Sequence, residues 1–582
     1  MQPSIRFRTG IPSLLMGVIV SLACKDAVAQ DAARYSPPVP IPRPLRVCVP
    51  LPQIPHSIGS DTVIVDELKG IMILGDEDRL QDPIAPFDGV RIDPQADLSV
   101  AHSEQFKSRL ASCLGRPVSM QLLNDLKSTI TSLYRTSNTP IVDVQIPAGQ
   151  DITEGIVQIV ITESTIGAVR FRGGCWFDEC MLRQQNWLRH GDPLQISCLT
   201  NELVWYNRNP FREVSVCLEP GCEPGTTDIV YQVCDRKPVR FFMGYEDSGV
   251  QTTSRERLNA GFNWGNAGEG DRMLSYQYSA DAQMSGIFGT HALSYQVPVW
   301  ENRNTWELFG SWTDLHAPIG GGLTATGQAW QFSGRYHQRL SQTCCRTETM
   351  HFGFDVKSTD NDLDFGGLTV LNQEVEIVNF MAGINSRQRH SDGVSQYALD
   401  AFVSPGWLLG RNTSTHFGAL RPGANATYGY LRGWMERLFE LDQRSDFVVK
   451  ATGQLATSSL LPTEQLGFGG YNTIRGYDMR TANADAGYIL NFEYRRKPIL
   501  AGTGEDGTAL TLLAFTDVGQ QFLYSGAGNQ PDGDILASAG VGARYLIDPN
   551  CSLRIDYGVP FNDVGRNFHS SGRVHVGVLL AY

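Results

Sequence analysis

The chain has 582 residues, a formal net charge of −13 at pH 7 and a mean hydropathy of −0.19. This length allows several domains, and the acidic charge argues against nucleic acid as a partner, because such partners require basic surfaces. Only 19% of the residues are charged, whereas 10% are aromatic and 59 are glycine. This balance is typical of a membrane β-barrel, whose strands alternate polar and apolar positions and so dilute the hydropathy.

Residues 1–29 are predicted to be a secretory signal peptide. A basic start precedes the apolar run 11–23, and residues 27–29, Ala-Val-Ala, form a small-x-small cleavage site. The apolar run is too short to span a bilayer as a helix. A lipoprotein signal at Cys24 is the disfavoured alternative, because a serine stands where a leucine is usual. The sequence therefore predicts an exported protein.

Residues 30–60 are predicted to be a stiff, extended linker. Eight prolines lie between positions 37 and 55 of this stretch. Such a density favours polyproline conformation, and it excludes a long helix, because proline removes a helical hydrogen bond and clashes with the preceding turn.

A first small domain is predicted at residues 61–165. It begins with extended segments, and apolar residues at helical spacing then predict helices at 103–114 and 119–134. Ser119 is a suitable N-cap for the second helix. Two strand-like runs, both rich in Ile and Val, complete the domain.

A second domain, at residues 166–238, repeats the same order of strand, helix, helix, strand and strand. Its predicted elements are the strand 168–171, the helices 179–189 and 197–207, and the strands 214–218 and 228–233. Two units with one order of elements indicate a tandem repeat. This pattern resembles polypeptide-transport-associated (POTRA) domains.

Residues 207–214 read Asn-Arg-Asn-Pro-Phe-Arg-Glu-Val. From the residues alone, Asn209 and Pro210 end a helix and Phe211 enters the core of the domain. The run also closely resembles part of the second POTRA domain of two-partner secretion transporters. That resemblance implies a second interpretation, in which Asn209, Pro210, Phe211 and Arg212 form a substrate-docking motif.

Six of the twelve cysteines lie in this second domain: Cys175, Cys180, Cys198, Cys217, Cys222 and Cys234. Small exported domains are often stabilised by disulfides, whereas the spacing of these cysteines does not match a zinc site. We therefore predict disulfides among the six and no metal, although the sequence does not determine which cysteines pair.

Residues 239–582 are predicted to form a transmembrane β-barrel. Runs of period-two alternation recur about sixteen times, which predicts a mostly β chain with a 16-stranded barrel behind two small α+β domains. The last run, 573–582, places apolar residues at every second position and ends at Tyr582. This ending resembles the C-terminal signal of outer-membrane barrels and implies contact with the barrel assembly machinery.

The most informative stretch is a glycine-rich loop. Residues 466–480 read Leu-Gly-Phe-Gly-Gly-Tyr-Asn-Thr-Ile-Arg-Gly-Tyr-Asp-Met-Arg, and a later strand-like run reads Phe515-Thr-Asp517-Val-Gly519. Glycines at this density favour tight backbone turns over a regular strand. An arginine on a loop and an aspartate on a strand can form a pair if the loop folds back onto the barrel wall.

Both runs resemble motifs of outer-membrane protein transporters and barrel insertases, namely Val-Arg-Gly-Tyr/Phe in a large loop and Phe-x-Asp-x-Gly in a strand. In that superfamily the loop enters the barrel and its arginine pairs with the aspartate. The resemblance implies an inward-folded loop at 457–485. It also implies a loop-to-barrel lock formed by Arg475, Gly476, Tyr477, Phe515, Asp517 and Gly519.

The sequence contains no recognisable catalytic or cofactor motif. It lacks Walker, HExxH, GxSxG and CxxC patterns, so we expect neither an enzyme nor a cofactor. The carboxylates Asp360, Asp362 and Asp364 could indicate calcium, but the Gly and terminal Glu of an EF-hand loop are missing. We interpret them as an acidic surface loop.

Taken together, these features resemble the two-partner secretion transporters (TpsB type) over residues 60–582. The resemblance implies an outer-membrane protein, in contact with lipid, whose POTRA domains lie in the periplasm. It also implies a dedicated partner, a large β-rich exoprotein (TpsA type) that is exported without nucleotide hydrolysis. The alternatives are a barrel insertase of the same superfamily and a passive porin.

Overall fold

The computed structural model describes residues 38, 59–98, 100–250, 253–320, 323–342, 345–365, 368–496, 499–501, 508–524, 533–548, 550–562 and 572–582. The predicted signal peptide and nearly all of the proline-rich linker lie outside these residues. The chain divides into two compact units, one of which is Ile41–Lys237, while the other includes Pro238–Tyr582. Over the described ranges, none of the helices has both the length and the apolar character needed to cross a membrane.

The first domain of the N-terminal unit packs two helices on a four-stranded sheet. Its elements are β1 (Val63–Val65), β2 (Gly70–Leu74), β3 (Gly89–Ile92), α1 (Glu104–Ala111), β4 (Val118–Ser119), α2 (Met120–Arg135), β5 (Val142–Gln145) and β6 (Ile156–Glu163). The strand order of the sheet is β3-β2-β6-β5, and β1 pairs separately with β4.

The helices of this domain form where the apolar spacing predicts them. Phe106 and Leu110 on α1 and Leu122, Leu126 and Ile130 on α2 are fully buried in one core with the sheet. Spacings of three and four residues place such side chains on one face of a helix. Ser119 is the N-cap of α2, as predicted, and its Oγ accepts a hydrogen bond from the Leu122 N–H at 3.2 Å.

The second domain repeats the order with three strands. It consists of β7 (Thr165–Gly173), α3 (Glu179–Gln184), α4 (Ile196–Tyr206), β8 (Arg212–Pro220) and β9 (Thr226–Asp235), with the sheet order β7-β9-β8. Helix α3 ends five residues before the predicted boundary at 189. The cause is Asn186, whose side chain donates to the Leu188 carbonyl at 3.2 Å and accepts from its N–H at 3.4 Å, an arrangement that competes with the helix.

The Asn-Arg-Asn-Pro-Phe-Arg run joins α4 to β8. Asn207 caps α4, and its side-chain amide donates to the carbonyls of Leu203 and Val214, both at 2.8 Å. The side-chain oxygen of Asn207 accepts from the Val214 N–H at 2.8 Å. One side chain therefore ties the end of the helix to the edge strand.

The rest of the run lies inside the domain. Asn209, Pro210, Phe211 and Arg212 are all buried. The Nε of Arg212 donates to the Tyr206 carbonyl at 2.7 Å, and its guanidinium lies 4.9 Å from the centre of the Phe177 ring. The structure therefore supports the helix-stop interpretation and does not expose these four side chains to a substrate.

The six cysteines of this domain, Cys175, Cys180, Cys198, Cys217, Cys222 and Cys234, are free in the structure. This corrects the disulfide prediction. Cys217 and Cys234 lie on the neighbouring strands β8 and β9, but Cys217 is opposite Val230 and Cys234 is opposite Glu213. That offset of four positions is about 13 Å along a strand, whereas a disulfide requires Cα atoms within about 7 Å.

The C-terminal unit is the barrel. Its wall strands are β10 (Val239–Glu246), β11 (Arg257–Trp264), β12 (Met273–Asp281), β13 (Phe288–Val299), β14 (Asn304–Gly320), β15 (Leu323–Gln342), β16 (Arg346–Phe365), β17 (Leu368–His390), β18 (Gly393–Pro405), β19 (Thr427–Glu440), β20 (Ser445–Ala456), β23 (Ala486–Arg496), β24 (Ile499–Ala501), β25 (Thr508–Phe522), β26 (Ile535–Asp548), β27 (Cys551–Pro560) and β28 (Arg573–Ala581). A helix, α5 (Ser414–Leu420), lies between β18 and β19. The short strands β21 (Leu466–Phe468) and β22 (Ala482–Ala484) form a hairpin outside the wall.

The wall closes as sixteen strands. Each consecutive pair is antiparallel, and β28 returns to pair with β10. Strands β23 and β24 both pair with β25 and form a single wall strand. The predicted fold class is confirmed, and a closed barrel satisfies the backbone polar groups without an open edge.

Several wall strands are longer than the roughly 9–11 residues that cross a bilayer as a tilted strand. Strands β15 and β16 each have 20 residues and β17 has 23. Positions 360–364 therefore belong to the end of β16, where they pair with β17. The interpretation of positions 360–364 as a surface loop is therefore wrong. Their backbone is part of the antiparallel ladder between β16 and β17.

Alternation along the strands separates the two faces of the wall. On β10, Phe241 and Met243 are more than half exposed, whereas Phe242 is buried. On β28, Val574 and Leu580 are about half exposed and His575 is 1% exposed. Successive side chains of a strand point to opposite faces, so an apolar outer face surrounds a polar interior.

We predict that Asn207→Ala loosens β8. The substitution leaves the backbone N–H and carbonyl of Val214 without their partner, and an unsatisfied buried group costs about 1–3 kcal/mol. Hydrogen exchange on the full chain should show faster exchange over residues 212–220. The matched control is Ser215→Ala, at an exposed position of the same strand. Equal exchange in both variants would contradict the anchoring role of Asn207.

Candidate functional site

The candidate site is the lumen loop, residues 457–485, which connects β20 to β23. Its hairpin pairs Leu466 with Ala484 and Phe468 with Ala482. Phe468 and Ile474 are fully buried in one cluster with Leu536 of β26. The loop therefore packs against the interior of the wall, as the resemblance implied.

Strand β25 supplies the wall side of the site. Phe515, Asp517 and Gly519 are buried, whereas Thr516 between them is exposed and Val518 is half-buried. The period of two along a strand thus turns all three motif residues toward the lumen. Because the three motif residues are two positions apart, the alternation of a regular strand is enough to place them on one face.

Arg475 and Asp517 form the centre of contact between loop and wall. The Nε of Arg475 donates to Oδ2 of Asp517 at 2.8 Å, and its Nη2 donates to Oδ1 at 2.8 Å. The backbone N–H of Arg475 also donates to Oδ2 at 3.0 Å. The Asp517 side chain is 0% exposed and that of Arg475 is 4% exposed, so this is a bidentate, charge-assisted contact shielded from water.

Phe515 and Gly519 complete the Arg475 cluster from the wall. The guanidinium carbon of Arg475 lies 3.6 Å from the centre of the Phe515 ring, a geometry that favours a cation. A Cβ at Gly519 would lie 2.8 Å from Cδ1 of Ile474. Each residue of Phe-x-Asp-x-Gly therefore has its own contact: the Phe ring on the guanidinium, the carboxylate on its N–H groups, and the glycine beneath the neighbouring isoleucine.

Two partners in the cluster were not predicted. Glu493 on β23 accepts from Nη1 of Arg475 at 2.6 Å and also pairs with Arg495 at 2.6 Å. Asn491 on the same strand donates to Oδ1 of Asp517 at 2.8 Å. Asn491 lies opposite Asp517 in the β23–β25 register. The signal in the sequence was the alternation of the polar residues Asn491, Glu493 and Arg495 with aromatic ones.

Gly476 allows the tip of the loop to touch the wall backbone. Its φ is +93°, and a Cβ there would lie 2.9 Å from the carbonyl carbon and oxygen of Gly558 on β27. Only glycine tolerates both the positive φ and this approach. The N–H of Gly476 also donates to Nε2 of His575 at 3.2 Å.

Tyr477 fastens the loop to two further segments. Its hydroxyl lies 3.0 Å from the Ala537 carbonyl oxygen on β26 and 2.8 Å from Oδ1 of Asn562, which follows β27. The side chain is 5% exposed. Arg475, Gly476 and Tyr477 therefore contact different wall strands, and the three-residue motif spans β25 to β28.

The C-terminal end of the lumen loop has its own ionic contact, which the sequence did not predict. Nη2 of Arg421, the residue after α5, donates to Oδ2 of the fully buried Asp485 at 2.8 Å. The Asp485 carboxylate also accepts from the Leu460 N–H at 2.8 Å and from the Tyr524 N–H at 3.1 Å. Three separate connections between strands meet at this one carboxylate.

The N-terminal part of the loop is held at Glu464. Its carboxylate accepts from Lys357 at 2.9 Å, from Asn379 at 3.0 Å and from the Tyr430 hydroxyl at 2.7 Å. The Glu464 side chain is 1% exposed. Its donors lie on β16, β17 and β19, so the loop is fixed to the wall at both ends and at the tip.

Comparison with known proteins identifies the family. Residues 225–545, more than half of the chain, match the family model described as haemolysin secretion/activation protein ShlB/FhaC/HecB. The chain belongs to this family.

Several known transporters and one solved structure are similar to this chain. The heme/hemopexin transporter protein HuxB of Haemophilus influenzae is 22% identical over 481 residues, which is 78% of this chain and 80% of HuxB. The outer membrane transporter CdiB of Dickeya dadantii is 20% identical over 71% of this chain and 72% of its own length. The structure of CdiB from Escherichia coli covers 100% of both chains at 15% identity with a TM-score of 0.68, which shows a shared fold.

The predicted family, fold class and location are confirmed. As a ShlB/FhaC/HecB protein, the chain is an outer-membrane transporter of a protein-secretion family. The predicted Arg475 and Asp517 lie in contact, and the rest of the predicted loop and strand residues surround them.

We predict that Gly476→Ala dislodges the tip of the lumen loop, because the new methyl group meets the Gly558 backbone and the positive φ is strained. Hydrogen exchange over residues 470–480 should rise about tenfold or more, which corresponds to a loss of about 1.4 kcal/mol. The control is Gly410→Ala, where a Cβ would meet nothing within 4 Å. A tip that exchanges equally slowly in both variants would be inconsistent with this close contact.

Proposed function

We propose that this protein is the outer-membrane translocator of a two-partner secretion system. It recognises one dedicated, large, β-rich exoprotein and exports it through the barrel without nucleotide hydrolysis. Membership of a secretion family supports the general activity. The observation that carries the proposal is the buried Arg475–Asp517 contact, which holds a removable loop inside the lumen.

The exoprotein first binds in the periplasm as an extended chain. Strand β8 supports this step, because it is an outer strand of the sheet order β7-β9-β8. An added strand would gain main-chain hydrogen bonds along such an edge, and the side-chain pockets would supply specificity. The buried Asn209–Arg212 run contributes by holding the start of β8 against α4, and we assign it a positioning role in docking.

Passage through the lumen requires the lumen loop to move. The cluster holds Arg475 against two carboxylates, Asp517 and Glu493, and separating a buried ion pair in a dry site is costly. An incoming hydrated chain lowers this cost, because water and the polar backbone solvate the separated charges. Folding outside the cell then opposes return, so that binding and folding replace nucleotide hydrolysis.

Assembly of the translocator itself involves two further partners. The apolar outer positions of β10 and β28 contact outer-membrane lipid. Tyr582, at the end of the final alternating strand, is 96% exposed. We assign this ending to recognition by the barrel assembly machinery.

The first test is deletion of the gene in its native host, followed by comparison of the cell-surface and secreted proteins. The proposal expects the loss of one large, signal-bearing, β-rich protein, restored by the gene in trans. A general loss of outer-membrane barrels would instead indicate an insertase. Loss of small-solute permeability with unchanged secretion would indicate a passive porin.

The second test is a double-mutant cycle on the lock. Arg475→Ala and Asp517→Ala should each reduce export of that protein severalfold or more, while the barrel still assembles in the outer membrane. The double variant should be less than additively worse, because each single change already removes the contact. Normal export rates in both single variants would overturn the lock.

A further inference from the structure

The barrel closes at a short junction, the seam, between its first and last strands. Strand β10 pairs with β28 over five positions, from Phe242 opposite Ala581 to Glu246 opposite Gly577. Other parts of the wall are more extensively paired, with 17 paired positions between β15 and β16. Backbone hydrogen bonds of Phe241 with Tyr582 and of Asp247 with Val576 extend the seam slightly.

An ion pair crosses the seam where the backbone ladder ends. Nη2 of Arg573, the first residue of β28, lies 2.7 Å from Oδ1 of Asp247, which follows β10. Nδ1 of His575, two residues further along β28, lies 3.3 Å from Oδ2 of the same aspartate. Both the Arg573 and Asp247 side chains are largely buried.

The tip of the lumen loop contacts this same pair. Asp478 forms an ion pair with Nη1 of Arg573 and a second one with Arg255 at 3.2 Å. Arg573 therefore lies between two carboxylates, one from across the seam and one from the loop. Gly476 donates its N–H to Nε2 of His575, and the Tyr471 hydroxyl lies 3.4 Å from Oε2 of Glu246 on β10.

We propose that Asp478 is a positioning residue that couples the lumen loop to the seam of the barrel. While the loop is docked, Asp478 orients Arg573 toward Asp247 and so holds β28 against β10. When the tip leaves, Arg573 loses one of its two carboxylates and His575 loses a hydrogen-bond donor. The seam then depends on five ladder positions, the flanking backbone hydrogen bonds at Phe241 and Asp247, and the Arg573–Asp247 ion pair.

This coupling follows from the different numbers of residues that pair between neighbouring wall strands. A ladder of 17 positions does not depend on one side-chain contact, whereas a ladder of five loses a larger share of its support when an ion pair weakens. Local opening of a structure is governed by the number of contacts it breaks. Loop displacement therefore loosens the seam first, and the lock and the seam act as one unit.

The test is hydrogen exchange on the full-length protein, purified in detergent with no exported partner present. Its result does not depend on the proposed secretion function. Asp478→Asn keeps the shape of the side chain and removes its charge. We expect about tenfold faster exchange over residues 239–246 and 573–581, the change that follows loss of one charged hydrogen bond.

The matched control is Asp355→Asn. Asp355 forms a buried ion pair with Arg335 at 2.6 Å across β15 and β16, and it has the same chemistry without a loop residue or a short ladder. Its substitution should leave exchange at the seam unchanged. Unchanged seam exchange in Asp478→Asn, or equal acceleration at the seam in both variants, would overturn the coupling.

A second variant keeps the test decisive if Asp478→Asn does not assemble. Arg255→Gln removes only the outer, half-exposed partner of Asp478, and it should accelerate exchange in the same two strands by a smaller factor. A cysteine pair at Met243 and Leu580, which are opposite each other in the seam, should abolish the acceleration when oxidised. Acceleration that persists in the cross-linked protein would show that it arises outside the seam.

Discussion

A guanidinium buried inside a membrane barrel needs compensating charges, and this requirement organises the loop and the wall around it. Arg475 is 4% exposed and meets the carboxylates of Asp517 and Glu493, while Arg495 balances the second of these. Moving such charges from water without partners costs several kcal/mol per ion. The strand must therefore present its carboxylate inward, and the loop must bring the arginine within about 3 Å of it. The glycines at 476, 519 and 558 remove the side chains that would prevent this approach.

An ionic contact also suits the loop movement that we propose for secretion. An apolar plug would remain stable against water, because exposing its surface is always unfavourable. Charged side chains can replace their ionic partners by water molecules or by the polar backbone of another chain once the lumen is hydrated. The anchors at Glu464 and Asp485 hold the two ends of the loop to other strands, so the tip can move while the ends stay attached. The contacts of Asp478 extend the same chemistry to the seam.

In the N-terminal domains, the motif that resembles the family supports the fold of one domain. Their most family-specific run, Asn207–Val214, is mostly buried, and the side chain of Asn207 joins a helix to a strand through hydrogen bonds to the Val214 backbone. Its contacts fix the start of the outer strand β8 against α4. The six cysteines of this domain are free, and its core is filled by Trp205, Tyr206, Phe211 and Tyr231.

The sequence by itself determined what depends on local periodicity. Alternation predicted about sixteen wall strands, one of which carries Phe515, Asp517 and Gly519, and helical spacing with Ser119 as N-cap predicted α2 closely. Only the tertiary structure decided which distant residues meet. Glu493, Gly558, His575 and Arg421 join the loop through strand register and barrel closure, and these bring together positions up to 99 residues apart. The cysteines failed as a guide for the same reason, because spacing along the chain does not reveal a four-position offset between neighbouring strands.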